Sequence, residues 1–394
     1  MADISKLEQQ ADFSDEYADR IEEWDLLAVA LICKELGRIG KMTPKEAEKY
    51  NVEKQAKKTE KAIFTALTTT VLINIKGLPN TYTSLFDEIH KESEYMYNYR
   101  GIPFADIADD ENAQKIVQQY AKKNGADFLE FAKTKAVKVL DGEKPIVLRD
   151  YILKSFDEAS QLVISGKTDF YTAMRKSVLE LGGSGMRVEY PSGITRRLDT
   201  VVRQNILHNG KMASAEYNRK IGDELGCDGI EVSFSMNPRP SHRFMEGKQY
   251  AKKHGKTVNG VYYEGAEDEG VYERLYEDYN CNHREKQIIL GVSEPTYTAE
   301  ELARLKAENE KQYTIGKSTG DGYYWSQRLR SLESATRNAK DQINALEAFG
   351  DSQQQIDKLK KQIATYKTKY NEICDVTGIK PDYKRMSIPR KTSP

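Results

Sequence analysis

Apolar positions over the first 165 or so residues fall three and four apart, the spacing of one helix face. Tyr17, Ile21, Trp24, Leu27, Ala28, Ile32 and Leu36 predict a helix from Asp15 to Gly37, where glycine suits the stop. Thr43, Pro44 and Glu46 open a second helix: Thr43 caps it, Pro44 takes the first position and Glu46 completes a capping box. The pattern runs on through Ile63, Leu67 and Val71, although the β-branched run Thr68–Val71 works against a helix there. Further helices are predicted over 112–123, 126–140 and 148–164, punctuated by Asp141-Gly142 and Ser165-Gly166.

Between about 167 and 295 the pattern changes. Leu181-Gly182-Gly183-Ser184-Gly185 reads as a flexible connector, and Val188–Ile194 as a short hairpin turning at Pro191-Ser192-Gly193. A helix over about 198–225 follows, with Gly226 as its left-handed stop. Ile230–Met236 alternates strictly between apolar and polar, as a half-buried strand does. Asn259-Gly260, between two valines, signals a two-residue hairpin.

From about 296 helical spacing returns. Thr298-Ala299-Glu300-Glu301 is a second capping box. Leu329, Leu332, Thr336, Ala339, Ile343 and Leu346 form one heptad-like seam. Ile356, Leu359, Ile363, Tyr366, Tyr370 and Ile373 form another beyond Phe349-Gly350-Asp351-Ser352. Two such arms joined by a short polar turn predict an antiparallel helical hairpin, coiled-coil-like in its seams. The expected fold is α+β, predominantly α: a helical N-terminal region (1–166), a small central α+β module (167–295) and a C-terminal helical hairpin with a basic tail (296–394).

Composition narrows the class. The chain has 394 residues, 60 Lys+Arg against 61 Asp+Glu, and a formal charge of −1, which argues against a surface built wholly for nucleic acid. From Tyr323 onward 14 Lys/Arg outnumber 8 Asp/Glu, leaving about +6 locally, and Lys384–Lys391 reads as a basic, disordered tail. No run approaches the 18 or so consecutive apolar residues of a membrane span, and the first residues lack a secretion-signal pattern. Cys33, Cys227, Cys281 and Cys374 lie too far apart for a disulfide framework, so the expectation is a soluble protein of a reducing cytoplasm.

The most informative stretch runs from Tyr190 to Tyr250, and a second cluster follows from Asn280 to Thr298. Together they hold Tyr190-Pro191-Ser192-Gly193, Asp199, Val202-Arg203, Arg239-Pro240-Ser241-His242, Glu246-Gly247-Lys248, Asn280-Cys281-Asn282-His283 and Gly291-Val292-Ser293. This order of motifs resembles the phage minor capsid protein 2 family, relatives of the Mu F-like minor head proteins of tailed phages. The specific match spans about 170–300 and extends more loosely on both sides. After His283 the chain carries Arg284-Glu285-Lys286-Gln287, where the family has aromatic residues and a proline. The length to Gly291 is kept, so the fold is expected to survive. The resemblance implies a non-enzymatic virion component at the portal vertex, acting in head assembly, DNA packaging or early ejection. Its partners would be the portal and other head proteins.

Read by themselves, Cys227, His242, Cys281 and His283 are the one plausible Cys/His constellation. Two thiolates and two imidazoles suit tetrahedral zinc, but Cys281-x-His283 is too short and Cys227 to His242 too long for usual ligand spacing. The commoner reading is that both histidines bond backbone groups to fix loops while the cysteines pack as small apolar groups. No catalytic residue and no cofactor is therefore expected. Ser241-His242 with Asp199 or Asp228 invites a hydrolase triad, yet adjacent residues rarely face each other and no nucleophile elbow surrounds Ser241. Arg239–His242 reads better as a rigid strand exit, and Arg203 as an ion-pair partner or phosphate contact. The glycines of 182–185 lack the Lys-Ser/Thr of a P-loop.

Tyrosine is in excess, 24 against 11 Phe and 2 Trp. Tyr262, Tyr263, Tyr272, Tyr276 and Tyr279 cluster as either an interface or ordinary half-buried surface. The basic tail is a candidate for salt-sensitive contact with packaged DNA. Two readings compete with the head-protein one: a metal-dependent or toxin-like effector carried in the phage head, and a cellular DNA-binding scaffold.

Overall fold

A computed structural model describes residues 5–104, 106–166, 169–277, 281, 283–351 and 353–388. Of the residues singled out above, Tyr279, Asn280, Asn282, Ser352, Pro389, Arg390 and Lys391 lie outside these. The helices are α1 (Ser5–Ile39), α2 (Pro44–Glu48), α3 (Val52–Arg100), α4 (Glu111–Phe131), α5 (Leu148–Ile164), α6 (Phe170–Ser184), α7 (Leu198–Glu224), α8 (Val271–Tyr276), α9 (Ala299–Glu310), α10 (Gly322–Phe349) and α11 (Gln353–Thr377). The strands are β1 (Val137–Asp141), β2 (Lys144–Val147), β3 (Arg187–Glu189), β4 (Thr195–Arg197), β5 (Gly229–Val232), β6 (Gln249–Ala251), β7 (Lys256–Val258), β8 (Val261–Tyr263), β9 (Glu285–Ile288), β10 (Tyr313–Ile315) and β11 (Ser318–Gly320). The protein is α+β and predominantly α. Its residues group into two compact units, one built on Ile75–Gly125 and Gln204–Gln327, the other on Asp15–Asn74, Ala126–Arg203 and the chain from Arg328. The three consecutive stretches read from the sequence describe chain order; this grouping interleaves them, because α3, α4, α7 and α10 each contribute to both units.

In the unit built on Asp15–Asn74, α1 buries Tyr17, Ile21, Trp24, Ala28, Ile32 and Leu36 of the stripe its spacing predicts, while Leu27, expected on that face, is exposed. Trp24 Nε1 donates to the Ile63 carbonyl of α3 at 2.9 Å. The Thr run of α3 stays helical because Thr68 and Thr69 bond the carbonyls of Phe64 and Thr65. By length and composition alone α3 could cross a membrane. Ala56, Ile63, Leu67, Val71, Leu78 and Tyr82 form one buried stripe along it, while Leu72 and Ile73 on the apolar stretch are exposed. Four antiparallel strands in the order β2-β1-β3-β4 complete this unit's sheet.

Two expectations fail here. The helix predicted over 126–140 ends at Phe131, and Asp141-Gly142 turns the β1–β2 hairpin, with Asp141 opposite Lys144. Val137 and Val139 alternate inward on a strand that pairs with β3, a partner fifty residues away. Gly182 and Gly183, read as part of a flexible connector, lie inside α6, and Gly185 is its C-cap with φ of +59°. A Cβ on Gly182 would stand 2.8 Å from Ala345 Cβ and 3.1 Å from the Asp341 carbonyl, so glycine serves close approach to α10.

The predicted C-terminal arms are α10 and α11. Tyr370 donates to Glu333 Oε1 at 3.2 Å, and these two residues lie equally far from the connecting turn, as antiparallel arms require. The described part of the tail is ordered. Tyr383–Met386 forms a 3-10 turn, Met386 is buried, and Lys340 Nζ holds its carbonyl at 2.6 Å. One apolar side chain inside the basic stretch is the reason.

The other unit centres on the antiparallel sheet β6-β5-β9. Ile230, Val232, Met245, Tyr250, Ala266, Val271 and Leu275 form its core. The strict alternation of 230–236 predicts a half-buried strand, but β5 is central and buried on both faces. Its Glu231 is satisfied by the Thr296 N–H and by Gln249. The atypical Arg284–Gln287 stretch supplies β9, where Glu285 and Gln287 are buried and Glu285 meets Arg219 at 3.1 Å. The Asn259-Gly260 turn joins β7 to β8 with φ of +49° and +80°, as a primed turn demands.

Candidate functional site

The chain leaves β5 at Val232, runs to Arg239, and enters the 3-10 turn Pro240–His242. Arg239 is extended, as a residue before proline must be. The turn places Ser241 at the surface and His242 in the interior. The chain then returns, with the Gly247 N–H bonded to the Val232 carbonyl at 3.0 Å. Between the turn and this return sits Glu246, fully buried. The entry to β9 brings in Cys281 and His283 from the other side, and Lys211 of α7 donates to the Cys281 carbonyl at 3.0 Å.

His242, Cys281 and His283 converge. Their ligating atoms all lie within 4.8 Å of one another and all three residues are buried. His242 Nδ1 stands 3.4 Å from His283 Nδ1, and Cys281 Sγ stands 3.5 Å from that same nitrogen. His283 Nε2 is 3.0 Å from Glu246 Oε1. Glu246 also accepts the Ser235 N–H at 3.1 Å, and Asn309 bridges Glu246 Oε2 and the Ser235 carbonyl. The Glu246 carboxyl on Nε2 takes up that nitrogen's N–H and fixes the ring, leaving Nδ1 facing Cys281 and His242.

The charges follow this geometry. Burial pushes the Cys281 thiol up, but hydrogen bonds with His242 and His283 and the nearby Lys211 charge outweigh it and hold the group at about 5. Burial pulls His283 down, and Cys281 with Glu246 more than reverses this. Burial likewise lowers the Lys211 ammonium. A thiol, an imidazole and a carboxylate in series have the connectivity of an activated nucleophile. They equally offer three lone pairs meeting at one point.

Cys227, grouped with these residues by sequence, is elsewhere: its Sγ lies 3.5 Å from Met96 Sδ. All four cysteines are free and buried. The expectation that both histidines bond backbone groups does not hold for His283, whose partners are side chains. No Ser-His-Asp triad forms. Ser241 is exposed, Asp228 is taken by Lys256 at 2.7 Å and the Leu290 N–H, and Asp199 belongs to the other unit. Sequence reading missed Glu246, Asn309 and Lys211. The available signal was Glu246 itself, four residues after His242 and just before the glycine that turns the chain back.

The remaining motif residues divide between the units. Tyr190, Pro191, Ser192 and Gly193 form the exposed β3–β4 turn, closed by the Gly193 N–H on the Tyr190 carbonyl at 2.8 Å. Asp199 is buried at the start of α7, and Arg203 Nε pairs with Asp15 at 2.7 Å, the ion-pair option for that arginine. In the other unit Gly291 receives Asn259 Nδ2 on its carbonyl. Tyr272 and Tyr276 stack under Arg219, whose guanidinium lies 4.4 Å above Tyr276, while Tyr262 is exposed.

No curated protein and no solved structure matches this chain. The family model described as phage minor capsid protein 2 matches residues 23–375. That span takes in both compact units, and with it the motif order of 190–291 that carried the resemblance. The chain therefore belongs to the phage minor capsid protein 2 family, structural proteins of the phage head.

Proposed function

We propose that this protein is a low-copy structural component of a tailed-phage head, seated at the portal vertex. There it supports head assembly, DNA packaging or early ejection by binding rather than by catalysis. The observation that carries the reading is the family match across nearly the whole chain. The motif residues support it: most of them build turns, caps and ion pairs, as in a scaffold. Its partners are the portal and neighbouring head proteins. The basic segment from Lys384 adds a charge-only contact with packaged DNA, which weakens steeply with salt.

Quantitative mass spectrometry of purified particles tests this. A level near the portal protein's and far below the major shell protein's is the expected result. Absence from particles and from assembly intermediates would overturn it. The buried Cys281–His283–Glu246 series favours a second reading, a metal-dependent effector carried in the head. That reading requires an activity in the purified protein that a Cys281 substitution abolishes without unfolding the chain.

A further inference from the structure

We propose that His242 Nδ1, Cys281 Sγ and His283 Nδ1 are the three protein ligands of a zinc site, with water in the fourth position. This is independent of where the protein sits in the particle, so neither reading falls with the other.

The first argument is the length of two sides of the triangle, the third being within 4.8 Å. Tetrahedral zinc, with Zn–S of about 2.3 Å and Zn–N of about 2.0–2.1 Å, sets its ligands about 3.3–3.4 Å apart for N···N and about 3.5–3.6 Å for S···N. The structure has 3.4 Å between the two imidazole nitrogens and 3.5 Å between sulfur and nitrogen. As a hydrogen bond the contact between the two imidazoles is long for a ring N–H donor, and the one Nδ1 of His283 faces two neighbours at once. A cation at the centre gives every lone pair a partner.

The surroundings are those of a ligand shell. Glu246 on the far nitrogen of His283 fixes the ring and its tautomer, and is itself held by the Ser235 N–H and Asn309. The donor set selects the ion: one thiolate and two imidazoles suit zinc and disfavour magnesium and calcium, which take oxygen. The ligands come from two segments 41 residues apart, the turn after β5 and the entry to β9. Metal binding there would tie the two ends of the sheet's connections together, so its free energy becomes folding free energy. The short Cys281-x-His283 spacing is no obstacle once the third ligand comes from a separate turn.

The test uses the full chain, purified without chelator or polyhistidine tag. Metal analysis should find about one zinc per chain, falling more than tenfold in Cys281→Ser and unchanged in Cys227→Ser. Cobalt(II) exchanged into the wild-type protein should show tetrahedral d–d bands and a thiolate-to-cobalt charge-transfer band. Metal removal should lower Tm, and added zinc should restore it. A folded, metal-free protein whose Tm ignores excess zinc would overturn the proposal. So would a Cys281→Ser protein that keeps its zinc. Should that variant fail to fold, the wild-type cobalt spectrum decides: lack of the charge-transfer band refutes ligation by Cys281.

Discussion

The heaviest electrostatic commitment in the molecule lies around Arg197, at the end of β4. Its guanidinium meets Asp341 at 2.7 Å, Asp25 at 2.9 Å and Asp199 at 3.3 Å; the three carboxyls are buried and the arginine nearly so. Arg337 adds weaker contacts to Asp199 and Glu22, at 3.7 and 3.9 Å. Four buried carboxyls thus share two guanidiniums. Burial, only partly offset by Arg337 for Glu22 and by Arg197 for Asp25, pushes these carboxyls up to about 8 and about 7. Burial raises Asp341 too. Replacing Arg197 with methionine keeps the length and removes the charge, and breaking a buried pair in this way costs about 3–5 kcal/mol. A carboxyl raised in the folded state stabilises fully below its unfolded pKa and loses that contribution as pH rises through the folded value. For Glu22 that window runs from 4.5 to about 8. In Arg197→Met the carboxyls hold protons at pH 5 at little cost, whereas at pH 8 they must either ionise with only Arg337 nearby or keep protons that the unfolded chain releases, and both cost stability. The loss should therefore be about 1–2 kcal/mol at pH 5 and about 3–5 kcal/mol at pH 8. The chain has two tryptophans, one in each unit, so Trp325→Phe leaves Trp24 as a fluorescent reporter of this unit during urea unfolding. A loss below about 1 kcal/mol at pH 8, or an equal loss at both pH values, would refute the reasoning.

Four further substitutions test other parts of the structure. Glu22→Gln removes a buried carboxyl whose Oε1 has no hydrogen-bond partner; it should flatten the stability-against-pH curve between pH 5 and 8 and stabilise by about 1–2 kcal/mol at pH 8, read by the same urea titration. Gly182→Ala should cost about 1–3 kcal/mol despite alanine's better helix propensity, because its Cβ meets the α10 backbone. Gly183→Ala meets only the flexible end of Gln342 and should be neutral or stabilising, so thermal melts of the two variants must differ in sign or clearly in size. Tyr370→Phe deletes the hydroxyl that donates to Glu333 and accepts the Asp382 N–H at 2.9 Å; a loss of about 1–2 kcal/mol and faster proteolysis of the C-terminal turn are expected.

Short-range chemistry was legible in the sequence wherever it is self-contained. Thr43 with Glu46, Thr298 with Glu301, Asn259-Gly260 and Pro191-Ser192-Gly193 each satisfy their own backbone, and all appear as read. Most of the failures share one cause: the deciding partner is distant in sequence. Val137–Asp141 has enough helix-forming neighbours to pass for a helix, but it is the middle strand between β2, across the Asp141-Gly142 turn, and β3, fifty residues on. Gly182 looks like a hinge until Ala345 of α10 arrives within contact. The basic tail looks unstructured until Met386 finds its pocket and Lys340 its carbonyl.

The Cys/His cluster shows the same limit at the level of chemistry. Four residues of the right type lie between 227 and 283, and spacing rules drawn from contiguous ligand loops argue against all four together. The structure separates Cys227 from the set and brings the other three together. Cys227 follows the last turn of α7 and packs on Met96, a place fixed by the helix stop at Gly226. His242 depends on Pro240, which forces the turn that buries the histidine and exposes Ser241. Cys281 and His283 depend on β9 pairing with β5, which brings position 283 beside the exit of the same strand that His242 follows. The site is therefore a product of sheet register: slipping β9 by one residue would turn His283 away from Glu246 and leave that carboxylate buried with one fewer partner. This is why residue type alone names the candidates and pairing alone selects among them.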